Sequence, residues 1–119
     1  MKNSDLIVIL GSSDNPMRPS FLANKLLKNK GFNTITIPHR VDNSDQQQLN
    51  PMSSADSTIA IFLKPNQQKK YYDYMLSLKP SRIIFNPGTD NDELKEIAKQ
   101  HNIRVISGCT IALVMNSLI

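Results

Sequence analysis

The chain has 119 residues, with 14 Lys or Arg against 10 Asp or Glu and a net charge of +4, so it suits one domain over 1–119 and favours an anionic partner only mildly. Cys109 is the one cysteine, which excludes an internal disulfide framework and suits a reducing cytoplasm. No apolar run approaches the ~20 residues that cross a bilayer, and Met1 to Asp5 lack a signal peptide's apolar stretch, so a cytoplasmic location without membrane contact is expected.

The first apolar run is Leu6–Leu10, followed by a helical stretch from Phe21 to Lys30 that sets Leu22, Ala23, Leu26 and Leu27 on one side. Pro19 and Ser20 suit its start, and Gly31 suits the position just past its end. A second strand is predicted at Thr34–Ile37. The residues from Pro38 to Ser57 then read as a long loop with room for a short helix near Ser44–Leu49. A third strand is expected at Thr58–Leu63. After Pro65, the spacing of Tyr71, Tyr74, Met75 and Leu78 predicts a helix over Asn66–Leu78, with Tyr72 outside.

The fourth strand is Arg82–Phe85. It precedes a helix at Asp90–His101 that carries Leu94, Ile97 and Ala98, with Thr89 as the expected N-cap and acidic residues in its first turn. A fifth strand at Ile103–Ile106 and a final helix over Cys109–Leu118 complete the series. These strand segments are short, rich in Ile or Val and free of clean polar alternation, as strands covered on both faces are. Strand and helix alternate throughout. The expected fold is therefore α/β, a three-layer, Rossmann-like, doubly wound parallel sheet of about five strands with helices on both faces.

In such a sheet, ligands bind beyond the carboxyl ends of the strands. That rule selects the loops Gly11–Ser20, Pro38–Arg40, Lys64–Asn66 and Asn86–Thr89. In the first loop, Gly11 would let backbone approach a phosphate, hydroxyls and helix-start N–H groups would hold its oxygens, and Arg18 would add a charged contact. An ordinary strand-to-helix turn fits the loop equally well. The three-glycine dinucleotide fingerprint is absent, and so is the Gly-Lys-Ser/Thr of a P-loop. After the second strand, Pro38, His39 and Arg40 stand where an NAD site would place an acid. The basic pair points to a ribose phosphate, as in NADP or coenzyme A. A solvated Arg and a surface His are the plainer alternative.

Gly11-Ser12-Ser13 with Asp14, Asn15, Pro16, Arg18, Pro19 and Ser20 resembles the opening loop of the small stand-alone CoA-binding proteins. These are Rossmann-like domains related to the succinyl-CoA synthetase alpha chain. The resemblance continues in Gly31-Phe32, Ile61-Phe62-Leu63-Lys64-Pro65, Asn91 to Ile97 and Val105-Ile106-Ser107-Gly108-Cys109. It implies CoA or acyl-CoA as ligand, with the pyrophosphate near Gly11, Ser12, Ser13, Arg18, Pro19 and Ser20. It further implies the ribose or 3′-phosphate near Pro38, His39 and Arg40, and the adenine side at Phe62, Lys64 and Pro65. Pro87 and Gly88 belong to the fourth loop of the same rim. The chain departs from the family in Pro38-His39-Arg40, in the following segment, and in Asn86-Pro87-Gly88.

Cys109 falls where the thiol arm of CoA would arrive, although a lone cysteine is more often a small buried hydrophobe. His39 and His101 have no companions at ligand spacing, so no metal site is expected, and Ser12 and Ser13 lack a nucleophile's setting. Tyr71, Tyr72 and Tyr74 with Lys69 and Lys70 are better read as helix packing than as a nucleic-acid face. Three functions follow: a non-catalytic CoA or acyl-CoA binder, an NADP-binding redox module, or an interaction module that forms a homodimer through Ile111–Leu118.

Overall fold

The structure is a computed structural model that describes residues 6–13, 15–38 and 57–118. Its elements are β1 (Leu6–Ser12), α1 (Pro19–Asn29), β2 (Asn33–Pro38), β3 (Ser57–Ile61), 3-10 turns at Pro65–Gln67 and Lys69–Tyr71, and α2 (Tyr72–Ser77). They continue as β4 (Arg82–Phe85), α3 (Asp92–Gln100), β5 (Arg104–Ser107) and α4 (Thr110–Met115). His39, Arg40 and the short helix expected near Ser44–Leu49 lie outside the described residues.

All strand pairs are parallel, in the order β2-β1-β3-β4-β5. Side chains alternate between two apolar clusters, because successive strand residues face opposite sides. Val8, Leu10, Ile59, Ile61, Ile83 and Phe85 pack with Tyr71, Met75, Leu94 and Ala98, so the Tyr71 turn, α2 and α3 cover one face. Ile7, Ile9, Ala60 and Ile84 pack with Leu27 and Val114, which places α1 and α4 on the other. The chain is thus a three-layer Rossmann-like α/β fold. Truncating Leu27 to Ala at such a site costs about 2–5 kcal/mol.

Burial on both faces is complete for β3 and nearly so for β1, which lie inside the sheet. The outermost strand, β5, is only half covered. It also begins one residue later than predicted, because the Ile103 N–H donates to Ala98 O at 2.8 Å and closes α3 instead of joining the sheet. The predicted third strand stops early at Ile61; Leu63 is buried in the loop rather than paired.

The helix predicted over Asn66–Leu78 is broken into two 3-10 turns and the short α2. The buried Gln68 turns inward there, and its Nε2 donates to Leu63 O at 2.9 Å and to Thr89 O at 2.8 Å. Tyr72 is half-buried against the core rather than outside. On α1, Ala23 and Leu27 are buried but Leu22 is 43% exposed, so the apolar side is narrower than predicted. The last helix ends at Met115 rather than Leu118; Val114 is buried on it, while Met115 and, beyond its end, Leu118 are exposed. Among the described residues, no helix is long and apolar enough to cross a membrane.

Candidate functional site

The sheet order reverses between β1 and β3, since β2 lies on one side of β1 and every later strand on the other. Loops diverge at such a point and leave a crevice at the carboxyl edge. The ends of β1 and β3 are drawn tightly together there. The Phe62 N–H donates to Leu10 O at 2.7 Å, and Gly11 adopts φ +95°. A Cβ on Gly11 would lie 3.1 Å from Leu63 N and from two atoms of its side chain. Gly11 is therefore required for the close approach of two chain segments. The register of β1 against β2 skips Gly11, so Ser12 pairs with Pro38.

Beyond Ser12, the loop folds on itself. Ser13 Oγ accepts from the Asn15 N–H at 3.1 Å, Asn15 Oδ1 from the Met17 N–H at 3.0 Å, and Asn15 O from the Arg18 N–H at 2.9 Å. Arg18 is the N-cap of α1, makes no side-chain capping bond, and is followed by Pro19 at a position that needs no N–H. The first turn of α1 carries no acid. The positive end of this helix is thus left without a side-chain counterpart, as an anion site requires.

Arg18, Pro19 and Ser20 line a cavity of about 210 Å³ together with Phe62, Asn86, Pro87, Thr89 and Cys109. Ser20 is only 2% exposed. Of the expected site residues, Arg18, Pro19, Ser20, Phe62 and Pro87 meet in this cavity. Gly11, Ser12, Ser13, Pro38 and Gly88 belong to the same edge without lining it. Lys64 and Pro65 are exposed beyond β3 and also stand apart from it.

Asn86 and Thr89 were not among the site residues expected from sequence, although their loop was, and Thr89 was expected only as a helix cap. Asn86 is buried, donates through Nδ2 to Ile61 O at 2.9 Å, and accepts at Oδ1 from the Thr110 N–H at 2.8 Å. It thereby ties the ends of β3 and β4 to the start of α4. Thr89 is not the N-cap of α3. Its hydroxyl turns back to Asn86 O at 2.7 Å, and the chain runs on to Asn91, whose Oδ1 accepts from the Leu94 N–H at 3.2 Å. Asn91 also donates through Nδ2 to Gln68 Oε1 and to Tyr72 Oη. The signal available in sequence was an amide at the end of a strand just before Pro-Gly, a pair that turns the chain and leaves the amide inside.

Tyr72, Tyr74 and Asp90 are shifted from their ordinary values. Burial raises Tyr72 above the ordinary tyrosine value, and burial pushes Tyr74 up to about 12. Asp90 is held below the usual carboxylate range, first by its hydrogen bond from Lys95 at 2.7 Å and further by Ser107 Oγ at 3.2 Å. Among the described residues, no three His, Cys, Asp or Glu side chains come together as metal ligands would.

A family model described as a CoA binding domain matches residues 5–115. No curated protein matches the chain. Among solved structures, a crystal structure titled only as an uncharacterized protein shares 31% identity at a TM-score of 0.82, over 98% of each chain. A Thermus thermophilus protein is 16% identical at a TM-score of 0.76, over 98% of this chain and 91% of that one. A hypothetical protein from Pyrococcus horikoshii is 16% identical at a TM-score of 0.78, over 94% of this chain and 82% of that one. The last two share the fold alone.

Proposed function

The chain belongs to the CoA binding domain family, and from that premise we propose that it binds coenzyme A or a short acyl-CoA without catalysing a reaction on it. The observation that carries this reading is the start of α1. A cation, a helix end without a side-chain cap and the hydroxyl-bearing Ser20 meet at one cavity beside the switch point. Arg18 and Ser20 hold the pyrophosphate, and the exposed Lys64 and Pro65 flank the adenine side. The arm that bears the thiol or thioester enters the cavity between Phe62 and Pro87, where apolar walls suit its methylene groups. The non-catalytic part of the reading is supported by the lining itself, which among the described residues offers a guanidinium, two hydroxyls, an amide and a thiol but no carboxylate or imidazole.

Calorimetric titration with CoA, dephospho-CoA, NADP and NAD tests this. CoA is expected to bind, more tightly than dephospho-CoA. Binding of NADP without CoA contradicts the reading and favours the redox alternative. Binding of none of the four leaves an interaction module.

A further inference from the structure

α1 and α4 cover the same face of the sheet and pack side by side. Both start at the cavity, beside Pro19 and Cys109, and their far ends meet where Lys30 Nζ donates to Ser117 Oγ at 3.2 Å. The two helices therefore run in the same direction, and their outer sides look the same way. On α1, Ala23 and Leu27 are buried, which turns Leu22 and Lys25 outward. On α4, Thr110 and Val114 are buried, which turns Met115 outward.

Met17, Phe21, Leu22, Met115 and Leu118 are the large apolar side chains left exposed among the described residues, with Met115 and Leu118 each at 68%. All five belong to this layer: Met17 just before α1, two on it, Met115 on α4 and Leu118 beyond its end. The layer also carries Lys25, Lys28 and Lys30, all exposed, and no acid among the described residues. The described acids, Asp73, Asp90, Asp92, Glu93 and Glu96, lie on α2, on α3 or just before α3, across the sheet.

A patch of this kind marks an interaction surface, and its charge selects the occupant. A second copy docked through the same face would set Lys25 and Lys28 against cations with no acid to balance them. An acidic protein would need hollows matched to side chains that project singly from two helices. The headgroup region of a bilayer yields around such side chains. Lysine stems lie along apolar surface while their ammonium groups reach phosphate. We propose that the outer face of α1 and α4 rests on an anionic lipid surface. Leu22, Met115 and Leu118 enter the boundary between headgroups and acyl chains, and Lys25 and Lys28 meet lipid phosphates. This departs from the sequence expectation of no membrane contact, which considered single apolar runs. Here the face is assembled from two helices, neither long and apolar enough to cross a bilayer. The proposal stands independently of the CoA reading.

The test is sedimentation of the full chain with vesicles of phosphatidylcholine, alone or with about 30% phosphatidylglycerol, at low and high salt. Partitioning should be at least ~10-fold stronger on the anionic vesicles and should fall with salt. Lys25→Gln with Lys28→Gln should remove at least ~10-fold of it. Lys69→Gln with Lys70→Gln takes the same charge from the turn on the opposite face and should remove less than ~3-fold. Met115→Gln with Leu118→Gln should weaken vesicle binding at least ~5-fold and leave binding to heparin, a soluble polyanion, unchanged. All these side chains are exposed, so each variant should melt near the wild-type temperature. Equal partitioning on the two vesicle types, equal losses in the two lysine pairs, or an apolar variant that binds as before overturns the proposal. Binding to neither vesicle also overturns it and leaves the face to an acidic protein. Light scattering adds one more contrary outcome: a dimer that Met115→Gln with Leu118→Gln returns to monomer assigns the face to a second copy.

Discussion

Two loops leave the same edge of the sheet and are built in opposite ways. Among the described residues, the loop from Ser13 to Pro19 makes its hydrogen bonds within itself and leaves Arg18 exposed at the start of α1. The loop from Asn86 to Asn91 is bonded to its neighbours: to Ile61 and Thr110 through Asn86, and to the turn after β3 through Gln68 and Asn91. Self-contained turns can change their side chains without disturbing the sheet, so the first loop is free to serve a ligand. The second is a brace that fixes where the cavity walls stand. Substitutions in the brace should reduce stability, and substitutions in the first loop should reduce affinity.

Gly11, the hinge from which the first loop departs, is the largest expected exception. Gly11→Ala meets both a positive φ and Leu63 backbone at 3.1 Å, and should lose about 2–5 kcal/mol in urea unfolding. Gly88 has φ +86° but nothing within 4 Å of an added Cβ, so Gly88→Ala should lose only about 1 kcal/mol. If the two variants lose the same amount, the close approach at the switch point is not what selects Gly11.

Asn86→Ala leaves Ile61 O and the Thr110 N–H without their side-chain partner. It should cost about 2–3 kcal/mol of stability. Arg18→Ala should leave the melting temperature nearly unchanged and weaken CoA binding roughly tenfold, the value of one charge-assisted contact. A variant that melts early yet keeps its affinity would reverse the division between the two loops.

The smallest effect is at Asp90. Its folded value lies below its unfolded one, so the stability it adds is full above pH ~4 and fades as pH falls through the folded value. Asp90→Asn should flatten that acid limb slightly in pH-dependent unfolding, and an unchanged limb would show that the Lys95 contact adds nothing. The side chain is exposed, which keeps the change small.

The contrast also explains which features were legible from sequence. Strands such as Leu6–Leu10 and Arg82–Phe85 declare themselves because their burial depends on Ile, Val, Leu and Phe in short runs. The loop after β1 was legible because Pro, Gly, Ser and Arg act there through local geometry and charge. The brace was not, because its members act at long range. Gln68 reads as a solvated helix residue until Leu63 and Thr89 are placed beside it. Asn86 reads as a turn residue until Ile61 and Thr110 surround it. Thr89 reads as a cap because hydroxyls favour that position, but its own hydroxyl satisfies Asn86 O two residues before the helix cap.

A second pocket lies at the opposite edge of the sheet, lined by Leu76, Lys79, Pro80, His101 and Ile103. It offers a built-in control for the central claim, which is that the ligand meets the start of α1 and the cavity beside it. Backbone amide chemical shifts followed as CoA is added test this most directly. The account predicts saturating shifts at Arg18, Ser20, Phe62, Thr89 and Cys109, with Lys79, His101 and Ile103 unmoved. Shifts confined to the Lys79–Ile103 edge, or none at all, would contradict it.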